Sequence, residues 1–331
     1  MDLNLPDLLL GLNPPERGAE ETRFRVRSIP SAQAHFVGLD PAGFPCILLR
    51  SGNTDMRAPI QLAAIEARFA VPCHIWEADG QERQETLTVI VCTSPDRQVQ
   101  SYFLHVCETI IRIVGPTPSF HEIVDTVQRL VDLFRELSRP ASRSVIGLLG
   151  ELCFVNWSNN TITSVRAWRS GEDDRFDFAI EDVRLEVKAS RERLRAHNFS
   201  AEQCLPPAGT IGVLASLFIE SSGGGVSLME VIREIQRKLA NDERLVLKVQ
   251  QTVAESLGES LPIALSMRFD ERIARSSLRL YDLSTIPAVR TGIPPEVTQV
   301  HFQSDLRATP NFSREDLIAR SARLLDLLPA T

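Results

Sequence analysis

The run Asp177-Phe178-Ala179-Ile180-Glu181-Asp182-Val183-Arg184-Leu185-Glu186-Val187-Lys188 decides how this chain is read. Phe176, Phe178 and Ile180 alternate with Asp177 and Ala179, and Val183, Leu185 and Val187 alternate with Arg184, Glu186 and Lys188. That is the period of two strands, each with one apolar face. With Glu181 and Asp182 as the turn, antiparallel pairing sets Phe178 across from Leu185 and Asp177 across from Glu186. Directly opposed Cβ atoms lie about 4.5–5.5 Å apart, so two ionised carboxylates there repel unless a cation lies between them. Lys188, two residues beyond Glu186, projects from the same face. The Glu-Asp turn lacks the Gly or Asn that tight hairpins favour, and a four-residue loop centred on the same bond keeps the pairing.

Lysine is scarce in this chain, which gives Lys188 added weight. Of 36 Lys plus Arg, only residues 188, 238 and 248 are Lys. Arg holds its proton near neutral pH, whereas a Lys can be driven by its surroundings to act as a base or to position water. A solvated surface hairpin carries the same residue types, so the hairpin alone does not decide. The preceding run Ser144-Val-Ile-Gly-Leu-Leu-Gly-Glu151-Leu-Cys-Phe-Val-Asn-Trp157 is dense enough in apolar residues for a buried helix, and Glu151 is its only charge. An acid among Leu148, Leu149, Leu152 and Phe154 requires a cation or strong donors, and a metal on the hairpin would supply one.

A helix carrying Glu151, a strand, an Asp177 strand, a Glu186-x-Lys188 strand and then a helix resemble the core of the PD-(D/E)XK nuclease superfamily, which includes many type II restriction endonucleases. The Gly-Leu-Leu-Gly-Glu-Leu run and Arg195-Ala-His197-Asn-Phe-Ser-Ala-Glu-Gln203 are similar to a bacterial group of that superfamily associated with restriction and phage defence. The resemblance is strongest over residues 143–220. Phe176 stands where the superfamily name has Pro. The resemblance implies a metal-dependent DNA endonuclease with a restriction-endonuclease-like α/β core, a mixed central sheet flanked by helices. It also implies DNA rather than RNA as substrate.

Phosphodiester hydrolysis needs an activated water, neutralised charge in the transition state and a stabilised leaving oxygen. Hard oxygen ligands with Mg²⁺, for which Mn²⁺ substitutes, suit all three. On this reading Asp177 and Glu186 hold the ion, Glu151 completes its shell or helps hold a second ion, and Lys188 orients or deprotonates the attacking water. By resemblance the Val187 carbonyl also ligates. From 184 to 197 the five cations Arg184, Lys188, Arg191, Arg193 and Arg195 outnumber Glu186 and Glu192, a local charge of 5 − 2 = +3. A basic patch beside a metal site is what phosphate binding needs. Arg191, Arg193, Arg195, His197 and Gln203 are therefore the candidate DNA contacts.

The net charge of −7 argues against a protein that coats nucleic acid nonspecifically and is compatible with a nuclease whose basic surface is confined to one cleft. Six cysteines without paired metal-ligand spacing read as reduced core residues, which disfavours zinc. The first residues lack the basic start and apolar length of a signal peptide or membrane span, so the expected location is the cytoplasm.

Three parts follow from punctuation and period. Residues 1–140 read as a mainly β N-terminal domain, with β-like runs at 34–39, 46–50, 85–92 and a long apolar stretch toward Ile113. It closes on a long helix from Ser119 to Leu137 with Ser119 and Glu122 as its capping pair. Residues 141–222 read as the nuclease core, flanked by strands at Thr161–Trp168 and Ile211–Ile219. Ser221-Ser-Gly-Gly-Gly reads as a flexible connection to an α+β C-terminal region, 223–331. That region has a helix capped by Ser227 and Glu230, a second from Asp242, strands at 278–283 and 297–302, and a final helix from Ser313 through Leu328. Double-strand cleavage by one site per chain is simplest in a homodimer, and a cognate methyltransferase or other defence proteins are the expected partners. The alternative function is a noncatalytic DNA- or partner-binding subunit of the same fold.

Overall fold

The computed structural model describes all residues except 1–2, 17–21, 52–56, 79, 170–174, 240–241, 295 and 331. The chain divides into two compact units, residues 1–141 with 257–262, and residues 142–256 with 263–331. The expected 141–222 and 223–331 parts therefore share one unit, apart from 141 and 257–262.

The first unit begins with a short helix α1 (Leu5–Leu9) and strands β1 (Arg23–Ile29), β2 (Ala32–Leu39), β3 (Pro45–Leu49), β4 (Ile60–Gln61), β5 (Ile65–Glu77) and β6 (Glu82–Cys92). They form one sheet in the order β1-β2-β3-β6-β5-β4, and β1 also pairs in parallel with β5, so the ladder closes on itself. Phe24, Phe36, Leu48, Ile75 and Val89 fill its interior.

The apolar stretch toward Ile113 is a helix, α2 (Arg97–Val114), where a β-like run was expected. Asp96 caps its first turn, and Val99, Phe103, Val106, Ile110 and Ile111 recur at helical spacing on its buried face. The next helix, α3 (Phe120–Glu136), has the expected capping box of Ser119 and Glu122.

The second unit contains α4 (Val145–Trp157), α5 (Thr161–Ala167), β7 (Phe178–Ile180), β8 (Val183–Ser190), β9 (Ala196–Ser200), β10 (Ile211–Phe218), β11 (Ser221–Ser227), α6 (Leu228–Lys238) and α7 (Glu243–Leu257). Beyond these come α8 (Leu261–Ser266), β12 (Arg268–Phe269), α9 (Glu271–Ser277), β13 (Arg279–Asp282), β14 (His301–Asp305), α10 (Arg314–Ile318) and α11 (Leu324–Leu327). Its main sheet runs β13-β10-β8-β7, with β8 and β10 parallel and the outer pairs antiparallel. This is a mixed α/β unit.

Four further expected elements differ. Thr161–Trp168 is helical, because Asn160 accepts from the Thr163 N–H and starts a turn that its β-branched residues do not break. Ser221–Gly225 lies in β11, which pairs with β12 through Ser221, Val226 and Ser227 around an irregularity; Gly225 permits the close approach because a Cβ there would come 2.0 Å from the Phe269 carbonyl. The strand expected at 297–302 begins at His301, and the single C-terminal helix is two short ones.

The hairpin keeps its expected register, Phe178 opposite Leu185 and Ile180 opposite Val183. Its loop is the two-residue Glu181-Asp182, made possible by Glu181 at φ 43°. Helix α4 starts at the Ser144 cap and packs on β8. Gly150 sets the separation: a Cβ there would stand 2.6 Å from the Ala189 Cβ and 3.6 Å from Val187. Because it has no side chain, the helix rests directly on the strand and brings Glu151 close to the hairpin's acids. Among the described residues, no helix is long and apolar enough to cross a membrane.

Candidate active site

The sheet's alternation and the seating of α4 place three carboxylates in one buried cluster. Glu151, Asp177 and Glu186 are each only 2–3% exposed. Asp177 immediately precedes β7, and its Oδ2 accepts the Val187 N–H at 2.8 Å, which fixes it against β8. Lys188 Nζ lies 2.7 Å from Glu186 Oε1 and 5.2 Å from the centre of the Phe199 ring. Gln203, on a 3-10 turn after β9, spans the pair: its Nε2 donates to Glu186 Oε1 at 2.7 Å and its Oε1 accepts from Lys188 Nζ at 3.3 Å. Gln203 is itself held, since Oε1 also accepts the Ser200 N–H.

Two arginines that sequence reasoning missed complete the cluster. Arg143 Nη1 bridges Glu151 Oε1 at 3.0 Å and Asp177 Oδ1 at 3.2 Å. Arg169 Nη2 meets Glu151 Oε2 at 2.6 Å, and its Nη1 lies 3.1 Å from Asp177 Oδ1. Trp168 Nε1 donates to Glu151 Oε2 at 2.9 Å. The expectation that Glu151 needs a cation is met by guanidinium groups. No sequence signal marks them, because Arg is the ordinary cation of this chain. The other two lysines hold backbone carbonyls: Lys238 that of Asn156 near the end of α4, Lys248 those of Arg166 and Trp168 at the end of α5.

Burial dominates the electrostatics. It raises the Glu151 carboxyl well above its usual range, reinforced by Asp177 and opposed by Arg143 and the Trp168 N–H. Burial also raises Asp177, against Arg143 and the Val187 N–H. Glu186 is pushed up to about 7 by burial and then by Asp177, with Lys188 opposing. His197, buried beside Ser216 Oγ at 2.7 Å, is lowered to about 4 by burial, then by Lys188 and Arg195, so its imidazole is neutral at pH 7.

The candidate DNA contacts are placed differently from one another. Gln203 joins the acid cluster. Arg195 is turned inward, donating to Ser216 and to the Ser277 carbonyl with its guanidinium over Phe218. Arg193 pairs with Glu220 and Arg191 reaches Met267 Sδ, both in exposed positions. All six cysteines are buried free thiols.

Mg²⁺ is commonly held by one or two carboxylates, with waters and substrate phosphate filling the octahedron. Asp177 and Glu186 fit that pattern. Glu186 Oε2 is buried with no hydrogen-bond partner among the described residues, a gap a cation would fill. Glu151 fits less well as it stands, since both its oxygens are already bound by Arg143, Arg169 and Trp168. Among the described residues, no three His, Cys, Asp or Glu side chains are grouped so as to enclose an ion.

Residues 11–307 match a family model described as "Putative PD-(D/E)XK family member, (DUF4420)". No curated protein and no solved structure matches the chain.

Proposed function

The chain belongs to the PD-(D/E)XK family that this model describes, and from that premise we propose that it is a Mg²⁺-dependent DNA endonuclease of the type II restriction or phage-defence kind, with Mn²⁺ able to substitute. The observation that carries the reading is the Asp177 and Glu186 pair, with Lys188 Nζ 2.7 Å from Glu186 and one Glu186 oxygen that has no hydrogen-bond partner among the described residues.

Asp177 and Glu186 would hold the ion together with the Val187 carbonyl, and Glu151 would join them only by giving up a contact with Arg143, Arg169 or Trp168. When bound, the ion supplies charge neutralisation at the phosphate and lowers the pKa of a coordinated water. Lys188 would donate its remaining Nζ hydrogen to the attacking water, while its contacts with Glu186 and Gln203 fix the direction of that ammonium. Arg143 sits between Glu151 and Asp177 with its side chain 31% exposed, so it is placed to meet the charge that develops on phosphate oxygens. Water stays largely excluded from the acids, which strengthens each of these interactions. A homodimer facing duplex DNA would cut both strands, and a cognate methyltransferase would protect the host.

The test is to incubate the protein and its Lys188→Ala variant with unmethylated phage DNA and Mg²⁺ or Mn²⁺ and to resolve the products on a gel. Discrete fragments from the wild type alone support the reading, and equal cleavage by both removes the role of Lys188. A noncatalytic DNA- or partner-binding member of the same fold is the second reading. It is favoured by the neutralisation of Glu151 and Asp177 by Arg143 and Arg169, and is distinguished by Mn²⁺ titration: unchanged affinity in Asp177→Ala supports it.

A further inference from the structure

A cavity of about 370 Å³ opens beside the acid cluster and is lined by Arg166, Arg169, Arg175 and Arg184, with Trp168 and Phe176 in its wall. Its position follows from the sheet. Ala179 and Arg184, opposed in the β7–β8 register, also line it. Asp177 and Glu186 lie two residues from them on the same face, so the cavity begins about 6.5 Å along the strands from the acid pair. Arg169 is common to both, since it touches Glu151 and Asp177 and also lines the cavity.

The cations there are unevenly matched. Arg169 is neutralised by the acid cluster, and Arg166 has Asp242 at 3.7 Å. Arg175 donates to the Leu205 carbonyl at 3.3 Å, and Arg184 to the Glu181 and Val183 carbonyls at 2.9 and 2.7 Å. Among the described residues, neither has a carboxylate within ion-pair distance, and Glu202 acts on Arg175 only from farther off. Carbonyls fix the direction of a guanidinium without cancelling its charge. On a convex surface such arginines are simply solvated; here they converge on one concavity of a chain with a net charge of −7. A phosphate offers several acceptor oxygens on one tetrahedral centre, a pair of which a planar guanidinium fork matches.

We infer that this cavity is a phosphate-binding subsite, with Arg175 and Arg184 as its principal donors. The phosphate comes either from a nucleic-acid strand, next to the phosphate that the acid cluster attacks, or from a free nucleotide. Only the strand source rests on the nuclease reading.

The test uses the full chain in EDTA, so that binding is read without cleavage. Anisotropy of a fluorescein-labelled 16-base-pair duplex and calorimetric titration with pyrophosphate are compared for wild type, Arg175→Gln, Arg184→Gln and the double variant. Arg272→Gln, at a 96% exposed side chain, is the control. Thermal melts confirm folding, and the single variants decide the matter should the double variant not fold. Each single substitution is expected to weaken binding about tenfold and to make the salt dependence of duplex binding shallower by about one in log–log slope. The control should bind as wild type. Loss for the duplex assigns the site to a strand phosphate, and loss for pyrophosphate alone assigns it to a free nucleotide. Wild-type affinity for both probes in the variants, or binding of neither probe by the wild type, overturns the subsite. Intact EDTA binding without cleavage in Mg²⁺ would count against the nuclease reading and leave the subsite standing.

Discussion

Removing Arg143 tests how the acid cluster is held together. At 3.0 and 3.2 Å and an effective dielectric near 20, each of its ion pairs has a gross attraction of about 5 kcal/mol. Deleting one partner of a buried pair typically costs about 3–5 kcal/mol. Here the side chain is 31% exposed and Arg169 still contacts both acids, so screening and redundancy reduce the loss to about 2–3 kcal/mol. For a unit of this size that lowers the melting temperature by roughly 5–10 °C.

The sign with pH is fixed. Without Arg143, the already raised Glu151 and Asp177 carboxyls rise further. A raised carboxyl contributes stability that is fully present below its unfolded pKa and lost as pH rises through the folded one. The Arg143→Ala deficit should therefore be smaller at pH 5.5 than at pH 8, and partly recovered at pH 8 by Mg²⁺. Differential scanning fluorimetry at both pH values, with and without the ion, measures it. A deficit equal at the two pH values would mean that Arg143 contributes packing alone, and the electrostatic argument would fail.

Three further outcomes are expected. Glu186, pushed up to about 7, is mostly protonated at pH 6 and ionised at pH 8, so the Mg²⁺-induced rise in melting temperature should be larger at pH 8 and vanish in Glu186→Gln; a pH-independent rise would contradict its role as a ligand. His197, lowered to about 4, contributes stability that is present above pH 6.5 and lost as pH falls through 4. Acid titration of His197→Asn should accordingly show a weaker loss of stability over that window, and an unchanged acid limb would refute the assignment. Glu181→Gly relieves a left-handed backbone cost of about 1–2 kcal/mol and gives up an exposed pair with Arg323 worth about 0–1 kcal/mol. Urea denaturation should show the variant as stable as wild type or more so, and a clear loss would show that the turn is not strained.

The hairpin was legible because its alternation is strict and one face is wholly apolar, which leaves a single register. Glu151 was legible as the one charge in an apolar helix. Arg143 and Arg169 were not, since their role comes from tertiary proximity and nothing local distinguishes them from other arginines. The region around Ile113 read as strand because β-branched residues carry that signal, while the Asp96 cap and the helical spacing that overrode it are weaker. Ser221–Gly225 read as a linker for the same kind of reason: glycine marks both a loop and a strand approached closely by another backbone, and only the position of Phe269 separates the two.

The acid cluster sets three carboxyl groups against Arg143, Arg169 and Lys188, so even when all three are ionised its formal charge is balanced by the protein's own cations. Folding of such a site does not wait for a metal, unlike a domain whose ligands have no other counterion. A chelator should leave the fold standing. On the proposed nuclease reading, the protein would accumulate in a dormant form, with the arrival of ion and substrate as a separate, later event that rearranges charges already in place.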